Sequence, residues 1–274
     1  MTINCKGELI DLSSPKVMGI VNITPDSFYK NSRFNENSSI LNNVEEMLKE
    51  GASFIDVGGY SSRPGGNEVS EQEELQRVVP AIEAILKEFP KTIISIDTFR
   101  SKVATESIKA GAAIINDISG GQIDEFMLKT VGSLKVPYVM MHMRGNPKTM
   151  QTLTDYDDIV KDIISYFSER IQLAKQHHIL DIIIDPGFGF AKTTAQNYEL
   201  LKKLNVLKIV DKPILAGISR KSMIYKVLGS DSSEALNGTT ALHMLALNNG
   251  ASLLRVHDVK EAMECVKLYN QMNI

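Results

Sequence analysis

The amino-acid sequence predicts one α/β domain folded as a (β/α)8 TIM barrel. Eight short apolar runs, rich in β-branched residues, alternate with amphipathic stretches along the whole chain. The runs are apolar almost throughout, as parallel strands covered on both faces should be. The chain's 274 residues also suit one barrel of this class, which typically needs about 250.

Residues 1–16 read as a small hairpin or plug ahead of the first barrel strand. The strand runs then begin at Val17 (VMGIVNIT), Phe54 (FIDVGGYS), Thr92 (TIISIDT) and Ala113 (AIINDIS). They continue at Tyr138 (YVMMHM), Asp181 (DIIIDPG), Pro213 (PILAGIS) and Leu253 (LLRVHD). Between them, Ser70 followed by Glu73 is a capping box that opens a helix. Gly51 and Gly111 stand where helices must end before a strand. Apolar residues recur at helical spacing over 156–174, 197–204, 234–247 and 259–269. No shift in composition marks a boundary, so residues 1–274 are read as one domain.

Composition narrows the function. Apolar residues make up 43% and charged residues 23%, values ordinary for a globular protein. The net charge is −3 and the basic residues are dispersed, which excludes the footprint of a nucleic-acid binder. The two cysteines, Cys5 and Cys265, form no CxxC pair, so neither zinc nor redox chemistry is indicated. No run of about 18 apolar residues occurs, and the first residues lack an apolar signal region. These features predict a cytoplasmic protein with no membrane partner.

Polar residues fall at the C-terminal ends of the strand runs: Asn22, Ser61-Ser62-Arg63, Asp97, Asn116, His142, Asp185, Ser219-Arg220-Lys221, Arg255 and His257. Those ends share the barrel rim where active sites of this fold lie. Asp97, Asn116 and Ser219, read singly, also fit helix caps. Read together, the set predicts a ligand site. Asp97, Asn116 and Asp185 suit a flat heterocycle with a guanidine-like edge, because acceptors can pair its ring N–H and amino groups. A metal pair at Asp97 and Asp185 is the alternative, with no histidine cluster to support it. Arg63, Lys221, Arg255 and His257 suit a phosphate-rich group, with the last three in the usual phosphate corner of the fold. The stretches TPDSFYKNSRFNENSS and SSRPGGNEVS read as long loops able to cover the site.

These motifs carry a family resemblance. NITPDSF from Asn22 and GGYSSRPG from Gly58 resemble the two signatures of the dihydropteroate synthases. SIDT, IINDISGG, MHMRGNPKTMQ, DPGFGFAK, GISRKSMI and RVHDVKE resemble further family segments, in order from Val17 to Glu261. The resemblance implies that 6-hydroxymethyl-7,8-dihydropterin pyrophosphate condenses with 4-aminobenzoate, giving 7,8-dihydropteroate and pyrophosphate. By residue match, Asp97, Asn116, Asp185 and Lys221 would hold the pterin, with Met140, Phe190 and Gly217 around it. Asn22 would bind a pyrophosphate-linked Mg²⁺. Ser62, Arg63, Arg255 and His257 would bind pyrophosphate, with Val256 also lining the substrate site. Phe28, Pro64 and Ser222 would frame the aminobenzoate. The family further implies a homodimer.

The chain departs from the pattern at Tyr60, where many members carry Glu, and at Ser62, where many carry Thr. After NITPDSF it reads YKNS in place of a Ser-Asp-Gly-Gly type of turn. Two further readings stand beside the synthase. A pterin-binding methyltransferase would need no pyrophosphate site, and a non-catalytic pterin binder would keep the pocket without the condensation.

Overall fold

The computed structural model describes residues 1–23, 33–60 and 69–272. Strands β1 (Thr2–Cys5) and β2 (Glu8–Asp11) pair antiparallel as a hairpin. The barrel strands are β3 (Lys16–Asn22), β4 (Phe54–Gly58), β5 (Ile94–Asp97), β6 (Ile114–Asp117), β7 (Tyr138–Met141), β8 (Ile182–Asp185), β9 (Leu215–Ala216) and β10 (Leu253–Val256). They form one parallel sheet of order β8-β7-β6-β5-β4-β3-β10-β9. A bridge between Ile184 and Ile214, just before β9, brings the two edges together and closes the barrel. Each of these strands lies within its predicted run, save that β3 starts one residue early, at Lys16.

The helices are α1 (Arg33–Glu50), α2 (Glu71–Glu88), α3 (Ser101–Lys109), α4 (Met127–Leu134), α5 (Ile159–Gln176), α6 (Thr194–Lys202), α7 (Ser222–Leu228), α8 (Leu236–Asn248) and α9 (Val259–Met272). Gly51 and Gly111 end α1 and α3 at φ +106° and +115°, conformations that glycine adopts without strain. At α2 only half of the expected capping box forms. The Ser70 side chain accepts from the Glu73 N–H, while the Glu73 carboxylate turns to Arg77, one helical turn on. A complete box stands instead at Thr193 and Gln196, opening α6. The loop after β3, expected to run through Ser39, is already helical from Arg33.

Strand side chains alternate between two cores, as the pleat requires. Val17, Ile55, Val57, Ile94, Ile96, Ile115, Ile182 and Leu254 face outward and pack with helix residues in the main core. Met18, Phe54, Val139, Ile183, Leu215 and Leu253 face inward and fill the lower barrel. Ile3, Cys5 and Leu12 from the hairpin region seal that end. The Asn4 N–H donates to Asp181 Oδ2 at 2.9 Å, and the Lys6 ammonium donates to the Gly111 carbonyl. The upper barrel is thereby left as the open end. Among the described residues no helix is long and apolar enough to cross a membrane.

Candidate active site

One pleat repeat above the apolar layer, the same strands carry Asp56, Asn116, Asp185 and Arg255, and above these Asn22 and Asp97. The inward phase follows from residue parity: Phe54 and Asp56 share a face of β4, as do Leu253 and Arg255 on β10. Arg255 Nε donates to Asp56 Oδ2 at 2.6 Å, and Arg255 Nη2 donates to Asp97 Oδ2 at 2.6 Å. Asn116 Nδ2 donates to the same Asp56 oxygen at 3.0 Å, reaching across the intervening β5. Four side chains from four strands thus form one connected floor.

Asp56 was not among the expected site residues. Its signal lay in the phase of FIDVGG: the second residue after an inward phenylalanine must also face inward. A carboxylate in the interior of a parallel barrel is costly unless it is used. Asp56 is fully buried, and its Oδ1 meets no hydrogen-bond partner among the described residues.

Across the pocket, burial raises the Asp185 pKa against the pull of Lys221. Burial also lowers the Lys221 ammonium to about 8, with Asp185 opposing. Lys221 Nζ donates to the Phe188 carbonyl at 2.6 Å and lies 4.8 Å from the centre of the Phe190 ring. Gly217 keeps the floor between this pair bare: a Cβ there would stand 3.6 Å from Lys221 Nζ and 3.7 Å from Asp185 Oδ2. Burial pushes Asp97 up to about 7, with Arg255 opposing and Asp56, Glu74 and Asp117 assisting. Desolvation works against the Arg255 charge, but Asp56 and Asp97 outweigh it and hold the guanidinium ionised.

Two of the expected lining residues face the other way. Met140 and Val256 are fully buried in the outer core between sheet and helices. Their neighbours, one residue along each strand, hold the inward positions. Met141 packs with Phe190, Ile118 and Met143 at the top of the barrel, and Arg255 and His257 flank Val256. A one-residue step in a strand exchanges its faces, and the sequence resemblance did not resolve that step. Arg220 also leaves the site: its guanidinium forks onto Asp258 at 2.9 Å and bonds the Ser232 and Ser233 carbonyls. His142 is buried outside the barrel, with Lys192 Nζ 3.0 Å from its Nδ1 and the Tyr166 ring edge-on at 4.8 Å.

The remaining expected residues fall at the rim. Ser219 Oγ lies 3.1 Å from His257 Nδ1 and accepts from the His257 N–H, joining the ends of the last two strands. Ser222 begins α7 directly after Lys221. Asn22 ends β3 and is exposed; its Oδ1 would lie 3.8 Å from a Cβ built on Gly58. The N-cap positions of α3, α4 and α7 are Arg100, Phe126 and Lys221, so Asp97, Asn116 and Ser219 are not spent on capping those helices. Phe28, Ser62, Arg63 and Pro64 lie outside the described residues, as does most of the expected cover.

The departure at Tyr60 has a local partner. Its ring meets Phe99 edge-on at 5.1 Å, and the Arg100 guanidinium lies 5.6 Å from its centre. Arg100 also donates to the Val69 carbonyl at 2.7 Å and to buried Glu74 at 2.5 Å. One arginine therefore holds the residues on both sides of segment 61–68.

The family profile described as pterin-binding enzyme matches residues 18–257. The chain is 43% identical to the dihydropteroate synthase of Escherichia coli strain K12, over 98% of this chain and 95% of that protein. A Yersinia pestis dihydropteroate synthase, solved with a sulfonamide drug, is 41% identical and superposes with a TM-score of 0.93, covering 100% of this chain and 99% of that one. A Xanthomonas albilineans dihydropteroate synthase, solved with 4-aminobenzoic acid, is 37% identical with a TM-score of 0.91, covering 99% of this chain and 98% of that one. Barrel, pocket and sequence therefore agree that the chain belongs to the dihydropteroate synthase family of pterin-binding enzymes.

Proposed function

We propose that the described residues divide the synthase reaction between a pterin pocket and an anion corner. The reaction joins 4-aminobenzoate to 6-hydroxymethyl-7,8-dihydropterin pyrophosphate, with pyrophosphate leaving. The observation that carries the division is the floor itself: Asp97, Asn116 and Asp185 converge as acceptors while Lys221 stands over bare Gly217. The carboxylates suit the amino group and ring N–H of a pterin, and Lys221 suits a ring acceptor. Phe190 and Met141, packed together, offer an apolar wall to the ring. Arg255, whose Nε and Nη2 donate to the carboxylates, would offer its Nη1 group to leaving-group oxygens. His257 and Ser219 stand beside it at the phosphate corner of the fold.

The C–O bond to pyrophosphate breaks and takes its electron pair with it. The new C–N bond forms to the aromatic amine, which then loses a proton. Arg255 and Lys221 lower the energy of the charge that develops, through electrostatics fixed before the reaction begins. An aromatic amine is already nucleophilic, so no side chain is assigned as its base. Asn22 fits a Mg²⁺ that arrives with pyrophosphate, since such ions use few protein oxygens when phosphate completes their shell. Bound there, Mg²⁺ would supply neutralisation of the leaving group.

Among the described residues no group of three or more His, Cys, Asp or Glu forms a metal site, which suits a cation held mainly by phosphate oxygens. Cys5 and Cys265, both buried free thiols, support a reducing cytoplasmic setting. Exposed Leu245, Leu268 and Met272 on α8 and α9 support a homodimer through that side, which sedimentation would test.

The test is product formation by purified protein given both substrates and Mg²⁺. Dihydropteroate and pyrophosphate appearing in equal amounts, and stopped by chelation, support the proposal. Binding of the pterin pyrophosphate without product would reduce the chain to a pterin binder.

A further inference from the structure

We infer that Asp56 is a positioning residue that sets the hydrogen-bonding polarity of Asn116 and thereby the ligand specificity of the pocket. An asparagine amide carries a donor end and an acceptor end, and a neighbour must decide which end a ligand meets. Asp56 makes that decision. Its Oδ2 receives Asn116 Nδ2 at 3.0 Å and Arg255 Nε at 2.6 Å, and a carboxylate beside a guanidinium only accepts. Asn116 must therefore point its NH2 group at Asp56, which leaves Oδ1 as the atom available to a ligand. The contact spans β5, where the inward residue between the two is Ser95, small enough to let them meet.

Three features separate this role from a structural one. Asp56 Oδ1 is buried without a partner among the described residues, so the residue carries a cost that packing does not explain. Phe54, two residues earlier on the same face, packs in the apolar lower core, so the inward face of β4 turns from apolar to charged within one pleat repeat. The atoms Asp56 orients, Asn116 and Arg255, lie beside Asp97 on the pocket side of the sheet. Turned this way, Asn116 joins Asp97 and Asp185 in a surface of acceptors. Such a surface takes a heterocycle edge rich in N–H donors and rejects one that presents acceptors in their place.

The inference rests on the pterin-pocket reading, and the experiment separates the two. Binding of 6-hydroxymethylpterin, which lacks pyrophosphate, is measured by calorimetry for the wild type, Asp56→Asn and Asp56→Leu. Arg255 Nε and Asn116 Nδ2 both donate to the one oxygen Oδ2, and Nε cannot accept, so in Asp56→Asn the amide oxygen takes that place and its NH2 group replaces the unpartnered Oδ1. Asn116 keeps its polarity and affinity stays close to that of the wild type. In Asp56→Leu no acceptor holds the Asn116 NH2 group, which is free to turn into the pocket, and binding weakens by roughly 10- to 100-fold. Thermal midpoints are recorded alongside, because a structural residue would lower the midpoint of Asp56→Leu without a selective loss of pterin. Undiminished binding by folded Asp56→Leu, or an Asp56→Asn variant as weak as Asp56→Leu, overturns the role of Asp56. Failure of the wild type itself to bind the pterin would overturn the pocket reading instead.

Discussion

The lower and upper halves of the barrel interior are built from the same strands, one pleat repeat apart, and share almost no chemistry. Below, Met18, Phe54, Val139, Ile183, Leu215 and Leu253 close on one another under a hairpin and exclude water. Above, Asp56, Asn116, Asp185 and Arg255 are held by hydrogen bonds and ion pairs, with burial acting against most of their charges. The lower layer gains free energy from transfer of apolar surface out of water. The upper layer takes charged groups out of water, a cost that its hydrogen bonds and ion pairs offset in part. Stability and function are therefore separated along the strand axis, and variants that differ by two positions should behave as if they belonged to different proteins.

The largest effect should come from the lower half. Phe54→Ala removes a fully buried ring and should lose about 3–5 kcal/mol of stability. Thermal unfolding should show the loss, while the Kd of 6-hydroxymethylpterin for the folded protein stays unchanged. A large change in that Kd would break the separation. Lys221→Ala is its counterpart above. It should cost roughly 100-fold in pterin affinity and turnover, as expected when a charged hydrogen-bond donor is lost. Because burial already works against this ammonium, its thermal midpoint should hold or rise. Normal turnover and affinity in Lys221→Ala would remove that residue from the site.

The two halves were also unequally legible in the sequence. The apolar runs of VMGIVN and DIIID announce strands because each residue must be apolar whichever face it takes. That redundancy made the fold readable and hid the phase. Met140 and Met141 are equally apolar, so only the closed barrel shows that Met141 lies at the pocket and Met140 against the helices. The polar residues had no such redundancy: Asp97, Asn116, Asp185 and Lys221 stood out by type and position, and all four converge. Asp56 lacks that positional signal, because it sits inside an apolar run and not at its end. Arg220 misled for the opposite reason, since it is basic and adjacent to Lys221 while its partner, Asp258, is far along the chain.

A titration should sharpen the comparison, because charged groups fill only the upper half. In the proposed pocket Asp97 serves the pterin as an acceptor, and on that reading affinity should fall as pH drops below about 7, where Asp97 gains its proton. It should fall again above about 8, as Lys221 loses its own. A pterin without phosphate keeps the ligand's second phosphate ionisation out of the profile, and each limb should approach tenfold per pH unit. Asp97 also bears on stability, with a definite sign. Its native carboxyl keeps a proton that the unfolded chain sheds above 3.8, so its contribution weakens as pH rises from there toward about 7. A flat binding profile from about pH 6 to 9 would contradict the roles given to both groups.

The smallest effect lies outside the barrel interior, at His243 on α8. Both of its ring nitrogens are buried without a partner among the described residues, and burial lowers its pKa to about 4. Unlike the groups of the upper barrel, it stands on an outer helix, apart from the floor that a ligand would meet. His243→Leu should therefore stabilise the protein by about 1 kcal/mol near neutral pH, as removal of an unpaired buried polar group does. The sign of its pH dependence follows from the lowered value. Between about 6.5 and 4 the unfolded chain takes up a proton that the native ring refuses, so the wild type loses stability as pH falls through that window. Leucine has no proton to take up, and the variant's advantage should grow at about pH 5 while pterin affinity stays unchanged. An advantage that failed to grow on acidification would mean that the native ring protonates with a partner at hand, and α8 would then have to be counted with the charged half of the molecule.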